Sequence, residues 1–466
     1  MFLNIAIISI YILNIFFNTF VKTLKDSVMR NIFIATSVSI FLLTICSFLT
    51  LDKFSIILQL KNIPILQIQE TKLGNIFLLL TTLVSIFVAI DIKTSIKEKT
   101  SLYINLLIAT NIALRLCFLS KDILSFFVFF EFSIIPVFFM ILLWGGKKKI
   151  IAAKQFLIYT IFGSSFILAA IIYLYAKTGS SLPLQIANSG AFAVIPENVK
   201  ITLLCMMCIG FFVKIPTFPF HTWLPLAHVQ APTGGSMLLA GILIKLGGFG
   251  IIQYLLPIFT PQIHIIQNYA IIIGLISLIY GSFVAMGQTD VKKMIAYSSI
   301  AHMSYVVCGI FSLNENGING AIFQMISHGI VSAGLFYMIG IVYSRSHTRD
   351  INAYGDLYTI CPFYAKVFIL LSMASVGLPG TIGFIGEIMT ITSLSKISGI
   401  YTILLASGAI LGATYMLHLC RKLLFGDKAN FTNLELSSNE KINLYLLSAL
   451  TIILGIYPKI ILGLFA

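Results

Sequence analysis

Long runs of apolar residues recur along the whole chain, separated by short stretches rich in Lys, Asn, Pro and Gly. Each run is close to the roughly 20 residues that an α-helix needs to cross a bilayer. We therefore predict an all-α polytopic membrane protein with about fourteen transmembrane helices. The predicted spans are residues 2–20, 31–50, 74–92, 101–119, 123–144, 152–176, 200–218, 234–256, 264–286, 294–312, 319–343, 361–392, 397–419 and 442–464.

Two of these spans carry residues that interrupt a helix. The run 361–392 is too long for one straight span and contains Gly377, Pro379 and Gly380. The run 200–218 contains Pro216, which removes a backbone donor. Helix breaks at membrane depth are tolerated only where the freed backbone faces protein or a water-filled cavity. Because paired interrupted spans are typical of transport sites, we expect an internal repeat, a hypothesis that rests on spacing alone.

Composition favours the same class and limits what the positive charge can mean. The 466 residues are 58% hydrophobic and 10% charged, with a mean hydropathy of +1.00, whereas soluble domains carry about 25% charged residues. Soluble, disordered and fibrous chains are thereby excluded. The net charge of +14 reflects loops: sixteen Lys and Arg follow odd-numbered spans and seven follow even-numbered spans. This excess predicts that the odd loops face the cytoplasm or matrix and that both termini lie opposite.

A few ionisable residues lie inside the apolar runs, where an ionised side chain costs about 2.5–3.5 kcal/mol near the bilayer centre. Each of them needs a partner, a hydrated cavity or a neutral form. Together they describe a polar track, whose members are Glu131, Lys214, Lys245, His302, His328 and Glu387. Because the track combines acids, bases and histidines, and histidine titrates near neutral pH, it favours a proton path.

Each of these residues also has a purely structural interpretation, which the residues alone leave open. Glu131 and Lys214 could form a structural ion pair. Lys245 could extend its ammonium group to the interface if its span is short. The two histidines could be packing groups with satisfied hydrogen bonds, and Glu387 could cap the second half of a broken helix.

Five segments resemble the antiporter-like subunits of NADH:ubiquinone oxidoreductase, the respiratory complex I, and within that family they are most similar to subunit 4. The longest is FFVKIPTFPFHTWLPLAHVQAPTGGSMLLAGILIKLGGFG, at residues 211–250. The others are FFEFSIIPVFF, TDVKKMIAYSSIAHMS, FQMISHGIVSAGLF and GLPGTIGFIGE. Together they cover about residues 101–395, whereas the first hundred residues and the last span match only in hydropathy.

The resemblance implies how the chain is organised and what the track does. A single membrane domain, 1–466, would contain N-terminal helices at 1–100, two inverted five-helix repeats with broken helices at 101–256 and 264–419, and a C-terminal helix at 442–464.

In that family the glutamate matching Glu131 pairs with the lysine matching Lys214, and the lysine matching Lys245 is the central proton site. The two histidines of the track connect the repeats, and the acid matching Glu387 lies on the route to the far side.

The function that the resemblance implies is proton translocation by a membrane-arm subunit, with a cation/proton antiporter subunit of an Mrp-type complex as the alternative. A structural membrane spacer is a third, different possibility. No metal or cofactor is expected on this chain, because NADH, ubiquinone, FMN and the iron-sulfur clusters belong to other subunits of the complex. The expected partners are neighbouring antiporter-like and other membrane-arm subunits and the lipid bilayer, and not nucleic acid.

The chain has 25 lysines and only 5 arginines, a bias that fits an AT-rich genome. We expect the mitochondrial inner membrane or, alternatively, the plasma membrane of an AT-rich bacterium.

Two features depart from the family pattern. The Gly-x-Asp-Gly motif that often precedes the third span is replaced by QETKLG at residues 69–74. Arg115 stands where a small residue is common, and we predict that it reaches the membrane interface beside Asp122. Neither departure touches the ionisable track.

Overall fold

The computed structural model describes residues 2–20, 26–50, 55–60, 63–426 and 434–464. Two strands, β1 (Ser55–Leu60) and β2 (Ile63–Gln69), form an antiparallel hairpin. The helices are α1 (Phe2–Phe20), α2 (Asp26–Thr50), α3 (Lys72–Ser95), α4 (Thr100–Leu119), α5 (Ile123–Phe132), α6 (Ile134–Trp144), α7 (Lys149–Thr178), α8 (Pro183–Ala187), α9 (Gly190–Val194), α10 (Glu197–Lys214), α11 (Trp223–Gln230), α12 (Thr233–Leu238), α13 (Lys245–Gly250), α14 (Leu256–Ile258), α15 (Ile263–Met286), α16 (Val291–Phe311), α17 (Glu315–Ser346), α18 (Leu357–Ile360), α19 (Pro362–Ser375), α20 (Ile382–Leu394), α21 (Gly399–Phe425), α22 (Ser438–Ile456) and α23 (Lys459–Leu462). Two π-helical segments, Leu239–Leu243 and Ile251–Leu255, flank α13, and a 3₁₀ turn spans Ile351–Ala353.

The membrane-spanning character of the chain is confirmed. Ten helices among the described residues are long and apolar enough to cross a bilayer, and shorter apolar helices lie at 3–19, 362–375 and 382–394. Every one of the fourteen predicted runs coincides with one or more helices, so the all-α polytopic fold class is confirmed. The loop-charge orientation stays a prediction. Five of the lysines on which it depends lie outside the described residues: Lys22, Lys25, Lys53, Lys61 and Lys428.

Three local features differ from the predicted runs of helix. The hairpin of β1 and β2 occupies a stretch that no predicted span covers, and its apolar, β-branched residues suit a strand. The last span is shorter than predicted, because α22 ends at Ile456. Pro458 disfavours helix at the residue before it and so separates α22 from α23. The span predicted at 234–256 is helical throughout but changes to π-helix on both sides of α13.

The chain forms two compact units. The first unit comprises Met1–Lys214 and Phe249–Ile266, and the second comprises Ile215–Gly248 and Gln267–Ala466. In the first unit, Phe249 packs against Phe77, Phe118 and Phe126, with ring centroids 5.7, 5.0 and 6.0 Å apart. These contacts anchor its later segment to the helices of its earlier one. The repeats at 101–256 and 264–419 stay a prediction.

Arg115 lies in this first unit, and the prediction that it reaches the interface beside Asp122 is wrong. The side chain is buried on α4 and donates to Asn4 Oδ1 and, at 3.3 Å, to Thr44 Oγ1. Asn4 in turn donates to Glu70, which also accepts a hydrogen bond of 2.7 Å from Ser47. The polar residues contributed by α1 and α2 therefore compensate the buried guanidinium, a long-range arrangement that local sequence does not reveal.

The second unit is built around α17, which is buried without interruption from residue 320 to residue 342. It packs against α16, α19, α20 and α22. Small residues permit the close approach: a Cβ on Gly386 would lie 2.6 Å from Gln324 Oε1, and one on Gly320 would lie 2.8 Å from Met389 Cβ. Small residues at helix contacts are typical of packing in membranes. This arrangement brings the ionisable residues of α16, α17 and α20 into one region.

Candidate functional site

Lys245 is the most buried member of the predicted track, with no part of its side chain exposed. Its Nζ lies 2.7 Å from Nδ1 of His328 and also donates to the carbonyl oxygen of Ala240. Both partners lie in the second unit together with the lysine. The alternative in which Lys245 extends its ammonium group to the interface is therefore wrong, because the nitrogen lies against a histidine inside the protein.

The π-helical segment Leu239–Leu243 places this lysine. It ends two residues before Lys245, and the hydrogen bond from Ile244 N reaches Leu239 O at 3.4 Å. π-Helical turns inside α-helices are frequent at functional sites. His328 faces Lys245 from the middle of α17, where Gly329 and Ser327 are its neighbours and every surrounding residue is buried.

His302 and Glu387 form a second contact in the same unit. Nδ1 of His302, on α16, lies 3.4 Å from Oε1 of Glu387, on α20. Nε2 of the same ring lies 3.0 Å from Oγ of Ser375 and 3.5 Å from the hydroxyl of Tyr415. The histidine therefore faces hydrogen-bonding partners at Nε2 and the carboxylate of Glu387, at ion-pair distance, at Nδ1.

A small cavity connects the two contacts. It has room for about one or two water molecules, and its polar lining includes His302, Gln324, His328, Ser375 and Glu387. The rings of His302 and His328 are 5.8 Å apart between centroids, a separation that one bridging water can span. Nε2 of His328 has no hydrogen-bond partner among the described residues and can bond to such a water.

The break that the sequence predicts in 361–392 positions Glu387. Helix α19 ends at Ser375 and α20 begins at Ile382, and between them Gly377 and Gly380 have φ of +78° and +86°. Such values suit glycine, which has no Cβ. A Cβ on Gly377 would lie 2.5 Å from Oε2 of Glu387, so the glycine also leaves space for the carboxylate.

Glu131 and Lys214 lie apart from this cluster in sequence and belong to the first unit. Their side chains form no ion pair within 4.0 Å: in the described part of the chain Nζ of Lys214 is buried without a hydrogen-bond partner, and it lies 4.6 Å from the ring centroid of Phe130. The two charges still interact electrostatically, and Ser164 is close to the carboxylate. The predicted pair is thus coupled through space and not by direct contact.

The buried ionisable residues of the second unit that the sequence analysis missed include His228 and Lys292. His228, on α11, is fully buried and stacks on Phe336 with centroids 4.4 Å apart; within the residues that the structure describes, neither of its ring nitrogens has a hydrogen-bond partner. It interacts electrostatically with Lys245 and Lys292. The only signal for it was its place within the motif at 211–250.

Lys292 was counted as a loop charge, which is wrong. It lies in the first turn of α16, is 2% exposed, and donates to Ala231 O at 3.0 Å and to Ser236 Oγ at 3.4 Å. The neighbouring Lys293 is exposed. Hydropathy could not separate the two lysines, because only the helix position decides which of them faces the interior.

The second unit thus contains a row of side chains that can exchange protons, namely Lys245, His328, His302 and Glu387. The small cavity lies between the two histidines. A buried lysine hydrogen-bonded to a histidine, and a histidine at ion-pair distance from a carboxylate, are both pairs between which a proton can pass, directly or through one water. Among the described residues, no group of His, Cys, Asp and Glu could hold a metal ion.

Comparison with known proteins agrees with this chemistry. The family described as NADH:quinone oxidoreductase/Mrp antiporter, TM, matches residues 120–412, a range that contains all six residues of the track. The chain belongs to this family of membrane subunits.

Its relatives include NADH-quinone oxidoreductase subunit M of Rickettsia bellii (strain RML369-C), 45% identical over 352 residues, which cover 75% of this chain and 71% of the relative. NADH-ubiquinone oxidoreductase chain 4 of Marchantia polymorpha is 41% identical over 349 residues, 74% of this chain and 70% of the relative.

The solved structures show the same fold. A chain of the structure described as respiratory complex I from Thermus thermophilus with bound NADH superposes with a TM-score of 0.88 at 26% identity, covering 98% of this chain and 97% of that chain. A chain of the Mrp complex from Dietzia sp. DQ12-45-1b gives a TM-score of 0.87 at 16% identity, covering 100% and 96%, and at that identity it shows a common fold only.

Proposed function

We propose that this chain is a proton-translocating membrane-arm subunit of NADH:ubiquinone oxidoreductase. In this proposal protons move through the second unit by way of Lys245, His328, His302 and Glu387. Glu131 and Lys214 act as an electrostatically coupled charge pair within the first unit. Electron transfer from NADH to ubiquinone, with FMN and iron-sulfur clusters, takes place in other subunits.

The observation that carries the proposal is the contact of 2.7 Å between Lys245 Nζ and His328 Nδ1, both inside a bundle of membrane-spanning helices. Placing a charge there costs several kcal/mol unless it is compensated. A protein that needed only packing at this position would be more stable with an apolar residue. The continuation of the contact through a water-sized cavity to His302 and Glu387 supports a path in preference to an isolated structural pair.

His228 supports an extension of the same path. It is buried next to the charges of Lys245 and Lys292, and Lys292 lies at the beginning of α16, beside loop residues that are exposed. We place these two residues on the segment of the path between Lys245 and that end of the helix. This end of the helix adjoins the loop after the ninth predicted span, which is predicted to face the matrix or cytoplasm.

We also propose the mitochondrial inner membrane as the location of this multi-pass protein. The excess of lysine over arginine supports an AT-rich organellar genome. The plasma membrane of an AT-rich bacterium is the alternative, since relatives of similar identity come from Rickettsia. Fractionation with an antibody to this chain distinguishes the two: recovery in an organelle-free plasma membrane would contradict the mitochondrial assignment.

Purification of the chain with its natural partners tests the function against the Mrp alternative. A tagged chain should co-purify with subunits that carry FMN and iron-sulfur clusters, and the preparation should reduce ubiquinone with NADH while acidifying or alkalising vesicles independently of Na⁺. Co-purification with antiporter subunits alone, and Na⁺-dependent proton movement without NADH, would instead establish the antiporter.

A further inference from the structure

His302 contacts both halves of the broken helix. Its Nε2 lies 3.0 Å from Oγ of Ser375, the last residue of α19, and its Nδ1 lies 3.4 Å from Oε1 of Glu387, on α20. Residues 376–381 between the two helices are not helical. The imidazole therefore contacts both half-helices across the interruption in the backbone helix.

The hydrogen-bonding capacity of each partner decides which protonation states this arrangement accepts. A carboxylate only accepts, so to donate to Glu387 across the 3.4 Å contact a neutral His302 must carry its hydrogen on Nδ1, which leaves Nε2 as an acceptor. A serine hydroxyl can donate to that bare Nε2, and it can accept from Nε2 once the ring has gained a second proton. A group that only donates or only accepts would fit one of these two states.

We propose that Ser375 is a positioning residue of the proton path, whose hydroxyl keeps Nδ1 of His302 directed at Glu387 in both protonation states of the ring. This inference rests on the proposed function, because it assigns a role within that relay. In the transfer step the Nδ1–H bond of the imidazolium breaks and an O–H bond forms at Oε1 of Glu387. The products are a carboxylic acid and a neutral imidazole with its hydrogen on Nε2, from which Ser375 accepts.

Other titratable groups also face this histidine and its acid. Tyr415, on α21, is 3.5 Å from the same Nε2, and the ring of His328, on α17, is 5.8 Å away between centroids. Tyr305, on α16 like His302, interacts electrostatically with Glu387. The hydroxyl of Tyr415 can also hold the ring of His302 when the serine hydroxyl is removed. Because its contact is longer than that of Ser375, we expect it to retain only part of the ring's orientation.

The test uses the intact complex in sealed membrane vesicles. Ser375→Ala should lower the rate of NADH-driven proton pumping roughly twofold to tenfold, the range expected for one positioning hydrogen bond, and should change the pH profile of that rate. Ser375→Thr, which keeps the hydroxyl, should restore both. The control is Ser372→Ala: Ser372 is buried one turn earlier on α19 and interacts with Cys420 instead of a histidine, so its loss should leave the rate and profile unchanged.

A comparison of double variants distinguishes a loss of His302 orientation from a general loss of protein stability. On a His302→Ala background, Ser375→Ala should have no additional effect, because the hydroxyl acts through that ring. If Ser375→Ala does not assemble, Ser375→Cys replaces it with the same expectation, since a thiol is a weak hydrogen-bonding group.

Equal rates and pH profiles for the wild type, Ser375→Ala and Ser372→Ala would overturn the role of Ser375. If Lys245→Ala abolishes pumping in that same experiment, the proposed function survives and only this inference fails. If Lys245→Ala also pumps normally, the proposed function itself has failed.

Discussion

The ion pair between Arg345 and Glu440 fastens the last long helix to the helix that carries His328. The guanidinium is bidentate, with NH1 3.0 Å from Oε1 and NH2 2.8 Å from Oε2. It joins the end of α17 to the first turn of α22, where Glu440 also forms a capping box with Ser437. The side chain of Glu440 is 1% exposed and that of Arg345 is 26% exposed.

Replacing Arg345 with alanine leaves a carboxylate buried without its counter-ion. Breaking a fully buried pair on one side costs about 3–5 kcal/mol. Because the arginine is partly exposed and water can screen the remaining charge, we expect a loss of about 2–4 kcal/mol in the free energy of unfolding. In Arg345→Ala/Glu440→Gln the unpaired charge is gone, so the double variant should recover about half of that loss or more.

Thermal unfolding of the purified complex, followed with an antibody or label on this chain, measures the effect. Arg421→Ala is the control, because Arg421 is exposed near the end of α21. Arg345→Ala should unfold at a clearly lower temperature than this control, and the double variant should lie between them. A single variant as stable as Arg421→Ala, or a double variant less stable than the single one, would refute the reasoning.

Two other perturbations have defined outcomes. Arg115→Met should destabilise the chain by about 2–4 kcal/mol, because Asn4 and the charge of Glu70 lose their cationic partner. Arg115→Met/Glu70→Gln should restore much of the lost stability in the same thermal assay. A double variant as unstable as the single one would exclude charge compensation between Arg115 and Glu70. Gly377→Ala should reduce pumping without preventing assembly, since it strains a positive φ and places a methyl group against Glu387; normal pumping, equal to that of Gly399→Ala at an open position, would contradict this.

Much of the fold could be predicted because hydropathy depends on local sequence. Runs of apolar residues of bilayer length identified every span, and the glycines and prolines of 361–392 identified the break that positions Glu387. The π-helical segment before Lys245 could not be predicted, since it depends on a hydrogen-bond shift that several apolar residues would allow equally well.

The site was predictable to the extent that its residues stand out from apolar surroundings. Lys245 and His328 did so, and the structure brings them into contact. Lys292 did not, because it precedes a second lysine at the end of a loop and is buried only through its helix position. His228, Ser375 and the surroundings of Arg115 required tertiary contacts, as their partners are distant in sequence.

Proton translocation by the assembled complex carrying Lys245→Ala tests the central claim most directly. The measurement is the number of protons moved per NADH oxidised in sealed vesicles, with assembly verified by native electrophoresis and Lys154→Ala, an exposed lysine of α7, as the control. We predict that Lys245→Ala loses most pumping and coupled quinone reduction, that Lys245→Arg is also impaired because arginine does not release its proton, and that Lys154→Ala behaves like the wild type. An unchanged ratio of protons to NADH in fully assembled Lys245→Ala would contradict the relay.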